Sequence, residues 1–282
     1  MTATAVTQVA ELNAHLEEMW GHLDTLFASL EAGGGWEQKH GADWTFADVP
    51  YHLAYCNQDL VARGLQLGAD YPESEQELLA SPQALGVWND RKFAERPAGQ
   101  TAAESVAQWR ESTTAIRSQT ASMQDADLER RCWFPLFLGW GTARDLLMFV
   151  VGHDWSEFMQ LRIHMGLTEP TPSAAITRHY LGRLLGFFPM FLNKEAAGAR
   201  SFAVVMAFSD PDVGAWTIRV ADGEASVSYG ASEDADLVLT QSAETFEKTF
   251  QGIQEPVAAI EAGELQVSDF EKLALFGQLF PM

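Results

Sequence analysis

The sequence has few of the features that mark secreted or membrane proteins. Only two cysteines, Cys56 and Cys132, occur in 282 residues, which is too few for a disulfide framework and favours a reducing compartment. Residues 1–10 lack the basic segment and the apolar stretch of a signal peptide. No apolar run approaches the ~20 residues that cross a bilayer. We therefore expect a soluble, cytoplasmic protein without a membrane span.

Basic residues are also scarce, since 18 Lys and Arg stand against 39 Asp and Glu, giving a formal net charge of −21. A chain this acidic repels phosphate backbones, so we expect no nucleic-acid partner. The charge is interpreted mainly as a contribution to solubility. The sequence contains neither a GxGxxG nor a P-loop pattern for phosphate groups, and it has no GxSxG nucleophile pattern. The sequence therefore shows no evident cradle for nucleotide phosphates and no nucleophile elbow.

What is present in the first half is helical periodicity. Apolar residues recur every three or four positions from Val6 to Leu30, and Gly33–Gly35 end this predicted helix. A shorter helix is predicted near Trp88. Three more long helices are predicted after capping-box patterns, in which a threonine precedes an acidic residue by three positions: Thr45 and Asp48, Thr101 and Glu104, and Thr142 and Asp145. The predicted fold of this half is an all-α four-helix bundle.

The pattern changes after the segment Glu169–Ser173, whose two prolines stop a helix and stiffen a linker. An apolar helix is predicted over His179–Asn193. Asp222-Gly223 predicts a hairpin turn, because both residues tolerate positive φ. We expect an α+β domain and a division into residues 1–168 and 174–282. The predicted strands are Ser201–Phe208, Ala215–Ala221, Glu224–Tyr229 and Asp236–Thr240, and the later helices are Ser242–Gln251, Pro256–Ala262 and Asp269–Phe280.

Three polar residues fall on predicted core faces of the helical half. His153 and Glu157 share one face with Leu146, Val150 and Leu161. His52 lies in the same way on the inner face of the second helix. Buried polar groups need partners, and side chains at i and i+4 converge on one point, so the pattern predicts a divalent metal site with open coordination positions. The alternative is a simple hydrogen-bonded pair of His153 with Glu157.

The remaining candidate residues have weaker patterns. Cys56 follows His52 by one helical turn and is interpreted mainly as a core thiol, with a role near the metal as the alternative. Asp154 and Trp155 flank the ligand pair and are candidates for contacts around it. The other histidines are interpreted as surface or boundary residues: His15, His22, His40, His164 and His179.

Three segments of the first half resemble DinB-like proteins, including their thiol-dependent maleylpyruvate isomerase branch. Trp44–Leu53 resembles the first metal-binding segment of that family, and Thr142–Arg162 resembles its last bundle helix. Trp88–Arg96 also looks like the middle of the isomerase branch, which makes Asn89 and Arg91 candidates for substrate contact. The resemblance covers roughly Val6–Leu167.

Carried over by position, the resemblance implies a metal triad of His52, His153 and Glu157. The common family pattern has histidine where Glu157 stands, and the isomerase branch has its His/Glu pair in the opposite order. A carboxylate in the set suits Zn²⁺, Ni²⁺, Fe²⁺ or Mn²⁺, so the metal is left open. The resemblance also implies a low-molecular-weight thiol as a second cofactor.

The second half resembles the sterol-carrier-protein-2 superfamily, which implies an apolar tunnel between sheet and helices. The resemblance rests on Ala215–Val220, Asp222-Gly223, Asp234–Thr240, Gln251-Gly252 and Gly263–Val267. Aromatic residues of the helices flanking the sheet are candidate lining residues for a hydrophobic ligand. Plain core packing is the alternative, and a cover over the metal site is a third.

Two main functions follow as hypotheses. One is a metal-dependent enzyme acting on a small organic or hydrophobic substrate, as an isomerase or a transferase that depends on a thiol cofactor. The other is a lipid-carrier-like protein that binds a hydrophobic ligand and has a structural or vestigial metal site. A regulatory protein without turnover is the third hypothesis. The expected partner is a small-molecule or hydrophobic ligand, and the assembly is left open between a monomer and a homodimer.

Overall fold

A computed structural model describes residues 8–40, 44–79, 81–135 and 139–281. The chain divides into two compact units, Met1–Pro170 and Thr171–Met282. The division falls inside the Pro-containing segment 169–173. Within the described ranges, no helix has both the length and the apolarity needed to cross a membrane.

Long helices dominate the described part of the first unit. A π-helix, Cys56–Ala62, joins two of them without a break, so that residues 49–67 form one helical segment. Short 3-10 turns occur at Gly68–Asp70, Glu73–Glu75 and Asp125–Glu129. The helices are α1 (Gln8–Gly33), α2 (Val49–Tyr55), α3 (Arg63–Leu67), α4 (Pro82–Ala94), α5 (Ala102–Thr120) and α6 (Ala143–His164).

The helices pack through the faces that the periodicity predicts. α1 lies against α6 and α2 lies against α5. Burial of this apolar stripe stabilises the unit, because each fully buried Leu or Met contributes roughly 1.5–3 kcal/mol. The buried residues of α1 include every position of the predicted stripe within the helix: Val9, Leu12, Leu16, Met19, Leu23, Leu26 and Leu30.

Two of the three predicted capping boxes form as expected. Those at Thr101 and Thr142 are complete, with reciprocal hydrogen bonds between the cap and the acidic residue. The third differs, because α2 begins only at Val49 and Asp48 makes no side-chain cap. The Asp48 carboxylate instead accepts hydrogen bonds from the backbone N–H and the hydroxyl of Thr45, at 2.7 and 2.8 Å.

Two short hairpins, which the sequence analysis missed, precede the helices that carry the polar core residues. Strands β1 (Lys39–His40) and β2 (Trp44–Thr45) pair antiparallel just before α2. Strands β3 (Arg131–Phe134) and β4 (Gly139–Thr142) pair antiparallel and lead directly into α6. Segments this short give too little alternation to be detected as strands.

The second unit is a mixed sheet with helices. Its five strands lie in the order β7-β6-β5-β8-β9, with β5 and β8 parallel and the other pairs antiparallel. The hairpin at Asp222-Gly223 is confirmed, with φ of 52° and 75°. The elements are α7 (Ala174–Leu185), α8 (Lys194–Ala197), β5 (Phe202–Phe208), β6 (Gly214–Ala221), β7 (Glu224–Tyr229), β8 (Leu237–Gln241), α9 (Ala243–Phe250), α10 (Pro256–Glu261), β9 (Gln266–Val267) and α11 (Phe270–Leu279).

The helix predicted over His179–Asn193 is wrong at both ends. α7 begins at Ala174 and ends at Leu185, before Gly186, and a 3-10 turn follows at Phe188–Phe191. Glycine is a poor helix former, and Pro189 cannot donate the next backbone hydrogen bond, so the apolar run continues while the α-helix does not.

Several aromatic residues proposed as a ligand lining pack on one another in the second unit. Phe188 stacks on Phe276 with ring centroids 6.2 Å apart, and Phe280 approaches Phe276 at 5.2 Å. All three are buried. Phe270, by contrast, is 63% exposed. These contacts fit the core-packing alternative, and the sterol-carrier resemblance stays a prediction.

Candidate metal site

The structure brings the three predicted ligands together from two helices. α2 supplies His52, and α6 supplies His153 and Glu157 one turn apart. His52 Nε2 lies 2.9 Å from His153 Nε2 and 3.7 Å from Glu157 Oε1. Donor atoms that share one Zn²⁺ at about 2.0–2.2 Å lie about 3.3–3.6 Å apart in a tetrahedron. The separation between the two imidazole nitrogens is shorter than that range, and the separation between His52 and Glu157 is slightly longer.

Cys56 offers a competing ligand. Among the described residues, the group of ligand atoms that all lie within 4.8 Å of one another is His52, Cys56 and His153. Glu157 is outside this group, although its Oε1 lies 3.7 Å from His52 Nε2. The sulfur of Cys56 is 3.8 and 3.9 Å from the two ring nitrogens of His52. Because these distances are nearly equal, the sulfur lies off the lone-pair axis of both nitrogens.

Charge favours Glu157 over Cys56 as the ligand. Burial acts to raise the pKa of Glu157, but the hydrogen bond from His40 and the imidazoles of His52 and His153 outweigh it and lower the pKa to about 2. Burial raises the pKa of the Cys56 thiol well above its ordinary value, and Glu157 raises it further. The carboxylate is therefore ionised before any cation arrives, whereas the thiol must first lose a proton.

His52 is also in its neutral form, which is the form that binds a cation. Burial, with smaller contributions from His153 and His40, lowers its pKa to about 3, and Glu157 only partly opposes this. A neutral imidazole beside an ionised, buried carboxylate is a donor set that a divalent cation satisfies well. The residues present therefore fit a metal such as Zn²⁺, Ni²⁺, Fe²⁺ or Mn²⁺.

The outer nitrogen of His52 is held by a tyrosine. His52 Nδ1 lies 2.6 Å from the Tyr55 hydroxyl, which donates a hydrogen bond to Asn89 Oδ1 at 3.1 Å. Since Tyr55 donates to Asn89, it accepts from an Nδ1–H, and that tautomer gives Nε2 a lone pair that faces His153 and can bind a metal. Asn89, a predicted candidate for substrate contact, thus takes part in orienting a candidate ligand.

A carboxylate lies near the outer nitrogen of His153, but no hydrogen bond joins the two. His153 Nδ1 lies 3.5 Å from Asp154 Oδ1, and the other oxygen of Asp154 accepts a hydrogen bond from Trp20 Nε1 at 2.9 Å. Asp154 is fully buried. Burial raises its pKa, while His153 and Trp20 oppose the shift. Trp155 is also fully buried, but it lies two positions from each ligand and so on another face of α6.

His40 corrects one prediction of the sequence analysis, which treated it as a surface or boundary residue. It is only 5% exposed, and its Nε2 lies 3.1 Å from Glu157 Oε2. The sequence carries no periodic signal for this contact, because His40 belongs to a two-residue strand and its partner is 117 positions away. The exposure of the other histidines agrees with the prediction: His15, His22 and His179 are intermediate, and His164 is exposed.

A cleft of about 350 Å³ lies in the first unit, and its lining includes neither Tyr55 and Asn89 nor the three predicted ligands. Trp88 forms part of its wall and contacts the Tyr55 ring, with centroids 5.2 Å apart. Arg91, the second candidate for substrate contact, lines this cleft and pairs with Glu77 at 2.6 Å. The other charged side chains of the cleft are Asp59, Arg63, Glu75 and Lys92.

The buried histidine makes the stability of the metal-free protein depend on pH. His52 is protonated below pH 6.5 in the unfolded chain but only near pH 3 in the folded one. The unfolded state therefore binds more protons, and stability is lost as pH falls from about 6.5 toward 3. We expect His52→Gln to flatten this slope in denaturant titrations with a chelator present. An unchanged slope in His52→Gln would contradict the buried, neutral state.

The first unit is helical and contains a buried histidine–carboxylate cluster, and comparison with known proteins identifies its family. The chain belongs to the DinB superfamily, whose family model matches residues 15–158, just over half of the chain. No curated protein matches the chain. The second unit lies outside the matched region.

Solved structures show a similar fold. A mycothiol-dependent maleylpyruvate isomerase aligns over 91% of this chain and 92% of its own, with a TM-score of 0.53 and 14% identity. A histidine-to-alanine variant of that enzyme aligns over 91% and 92%, with a TM-score of 0.50 and 13% identity. An inverting sec-alkylsulfatase from Pseudomonas sp. aligns over 92% of this chain and 32% of its own, with 15% identity, but its TM-score of 0.32 carries no argument.

At these identities the structural likeness concerns the fold alone. The family match, the fold and the His/Cys cluster together support a metal-binding, enzyme-like protein family. The substrate, the identity of the metal and the ligand set of this chain are proposals.

Proposed function

We propose that the first unit binds one divalent cation through His52, His153 and Glu157 and that the chain is a metal-dependent enzyme. The observation that carries the proposal is the buried donor set, in which His52 Nε2 lies 2.9 Å from His153 Nε2 and 3.7 Å from Glu157 Oε1. Burying such a set without a cation is costly, because each donor atom gives up water.

Three protein ligands leave coordination positions open, as in catalytic rather than structural sites. A divalent ion bound there would supply Lewis acidity and would favour the deprotonated form of a thiol. His153 is the most accessible of the three ligands, with 17% of its side chain exposed, and it stacks on Phe149. We propose that small molecules reach the site from this side.

A low-molecular-weight thiol is the proposed second cofactor, and an isomerase or a transferase is the proposed reaction class. The support is the fold likeness to an enzyme whose description names mycothiol as the thiol. The cleft lined by Trp88 and Arg91 offers room and charged groups for a polar organic substrate. Arg91 would bind such a substrate by exchanging its partner Glu77 for an acidic group.

Binding of a thiol to the metal can be tested without knowing the substrate. Protein loaded with Co²⁺ should develop a thiolate-to-cobalt charge-transfer band when mycothiol or another low-molecular-weight thiol is added. The band should also form in Cys56→Ser, because the added thiol rather than Cys56 supplies the sulfur.

A band that is already present before thiol is added, and absent from Cys56→Ser, would make Cys56 the sulfur ligand. No band with any thiol would remove the thiol from the proposal. The hydrophobic-carrier function remains the alternative in that case, because it needs no thiol at the metal.

A further inference from the structure

We infer that His40 is a positioning residue that holds Glu157 as a one-oxygen metal ligand. The inference rests on the proposed metal site and adds a residue that neither the helix periodicity nor the cluster of ligand atoms includes. It concerns how many coordination positions stay open for a substrate or a thiol.

The two oxygens of Glu157 face different partners. Oε2 lies 3.1 Å from His40 Nε2, whereas Oε1 faces His52 Nε2 at 3.7 Å. An oxygen that accepts an N–H hydrogen bond keeps its carboxylate from turning both oxygens to one cation. Only Oε1 is then available to the metal.

His40 is itself held in place by the first hairpin. It pairs with Trp44 across β1 and β2, and the backbone N–H of Phe46 donates to Gln38 O at 2.9 Å. The ring of His40 lies among aromatic neighbours, with the ring centroid of Phe46 at 6.4 Å and that of His164 at 5.6 Å. β1 also contacts α6, the helix that carries Glu157.

The hydrogen bonding of the two ring nitrogens of His40 indicates which tautomer the ring adopts. His40 Nδ1 is buried and has no hydrogen-bond partner, whereas Nε2 faces an acceptor. A neutral imidazole has one N–H, and it is lowest in energy where that hydrogen is donated. His40 therefore donates from Nε2 to Glu157 and has no free lone pair directed at the metal.

The consequence is an open coordination shell. Two imidazole nitrogens and one carboxylate oxygen leave room for a thiol and a second small ligand. If Glu157 lost the hydrogen bond from His40, its second oxygen would occupy one of those positions, and Glu157 would become a bidentate ligand. His40 would thus set both the affinity for the metal and the number of exchangeable positions.

Two amide substitutions separate the hydrogen bond from the packing of the ring. The side-chain N–H of His40→Gln reaches about as far as Nε2, whereas that of His40→Asn is too short. We expect His40→Asn to weaken Zn²⁺ binding by about 10- to 100-fold, the range for loss of an outer partner of a ligand. His40→Gln should stay within about threefold of wild type. The control is His179→Asn in the second unit, which should bind as wild type.

Competition with a chromophoric chelator measures these affinities, and circular dichroism checks the fold. The absorption spectrum of bound Co²⁺ gives a second readout: the visible bands should change in His40→Asn and stay as in wild type in His40→Gln. Equal affinities and spectra in both variants, or equal losses in both with the fold intact, would overturn the inference.

A crystal structure of the zinc-loaded wild type tests the same point without a variant. It should show one oxygen of Glu157 on the metal and the other on His40, and two oxygens on the metal would overturn the inference. If wild-type protein binds no divalent metal at all, the proposed function fails as well, and this inference fails with it. Normal metal binding with a bidentate Glu157 removes only the role of His40.

Discussion

Glu157→Gln is expected to lower the affinity for Zn²⁺ by at least about 100-fold, beyond the 10- to 100-fold range for loss of an outer partner of a ligand. The amide keeps the shape of the side chain and can still accept the hydrogen bond from His40. It removes the negative charge that offsets the cation in a buried site. Competition with a chromophoric chelator measures the change, and the fold should be preserved.

Cys56→Ser is the matched control, because it removes the competing donor from the same cluster. We expect it to bind Zn²⁺ about as tightly as wild type, within a few-fold. The opposite pattern, with metal lost in Cys56→Ser and kept in Glu157→Gln, would make His52, Cys56 and His153 the ligands. That result would contradict the proposed donor set while keeping a metal site.

Removal of the metal is expected to lower the melting temperature of the first unit by about 5–11 °C. A ligand that binds only the folded state at 100 times its Kd stabilises it by about 2.7 kcal/mol. A unit of this size loses about 2–4 °C for each kcal/mol. Differential scanning calorimetry with and without a chelator measures the shift.

Glu157→Gln should show almost no shift with the chelator, because it has little bound metal to lose. A wild-type protein whose melting temperature is the same in both conditions would contradict metal binding to the folded state. A shift of equal size in Glu157→Gln would mean that the chelator removes an ion bound elsewhere in the chain.

The regular elements could be predicted because their signals are local. The stripe of α1, the capping boxes at Thr101 and Thr142, and the turn at Asp222-Gly223 each depend on residues within one or two turns of chain. The placement of His52, His153 and Glu157 on inner faces followed from the same periodicity. Their approach to one another required only that the two helices face the same core.

Two contacts around the site could not be predicted, because each joins residues far apart in the chain. His40 meets Glu157 across 117 positions, and Trp20 meets Asp154 across 134. Tyr55 is only three residues from His52, so i, i+3 spacing would have found that contact. The π-helix after Tyr55 has no periodic signature of its own and was missed.

The most direct measurement is the metal content of the protein purified without a polyhistidine tag. Elemental analysis should find about one divalent ion per chain in wild type after incubation with Zn²⁺, Ni²⁺, Fe²⁺ or Mn²⁺ and desalting. His153→Ala, treated identically, should retain less than about one tenth of that amount. Equal metal content in the two proteins, or no metal in wild type with any of the four ions, would contradict the account.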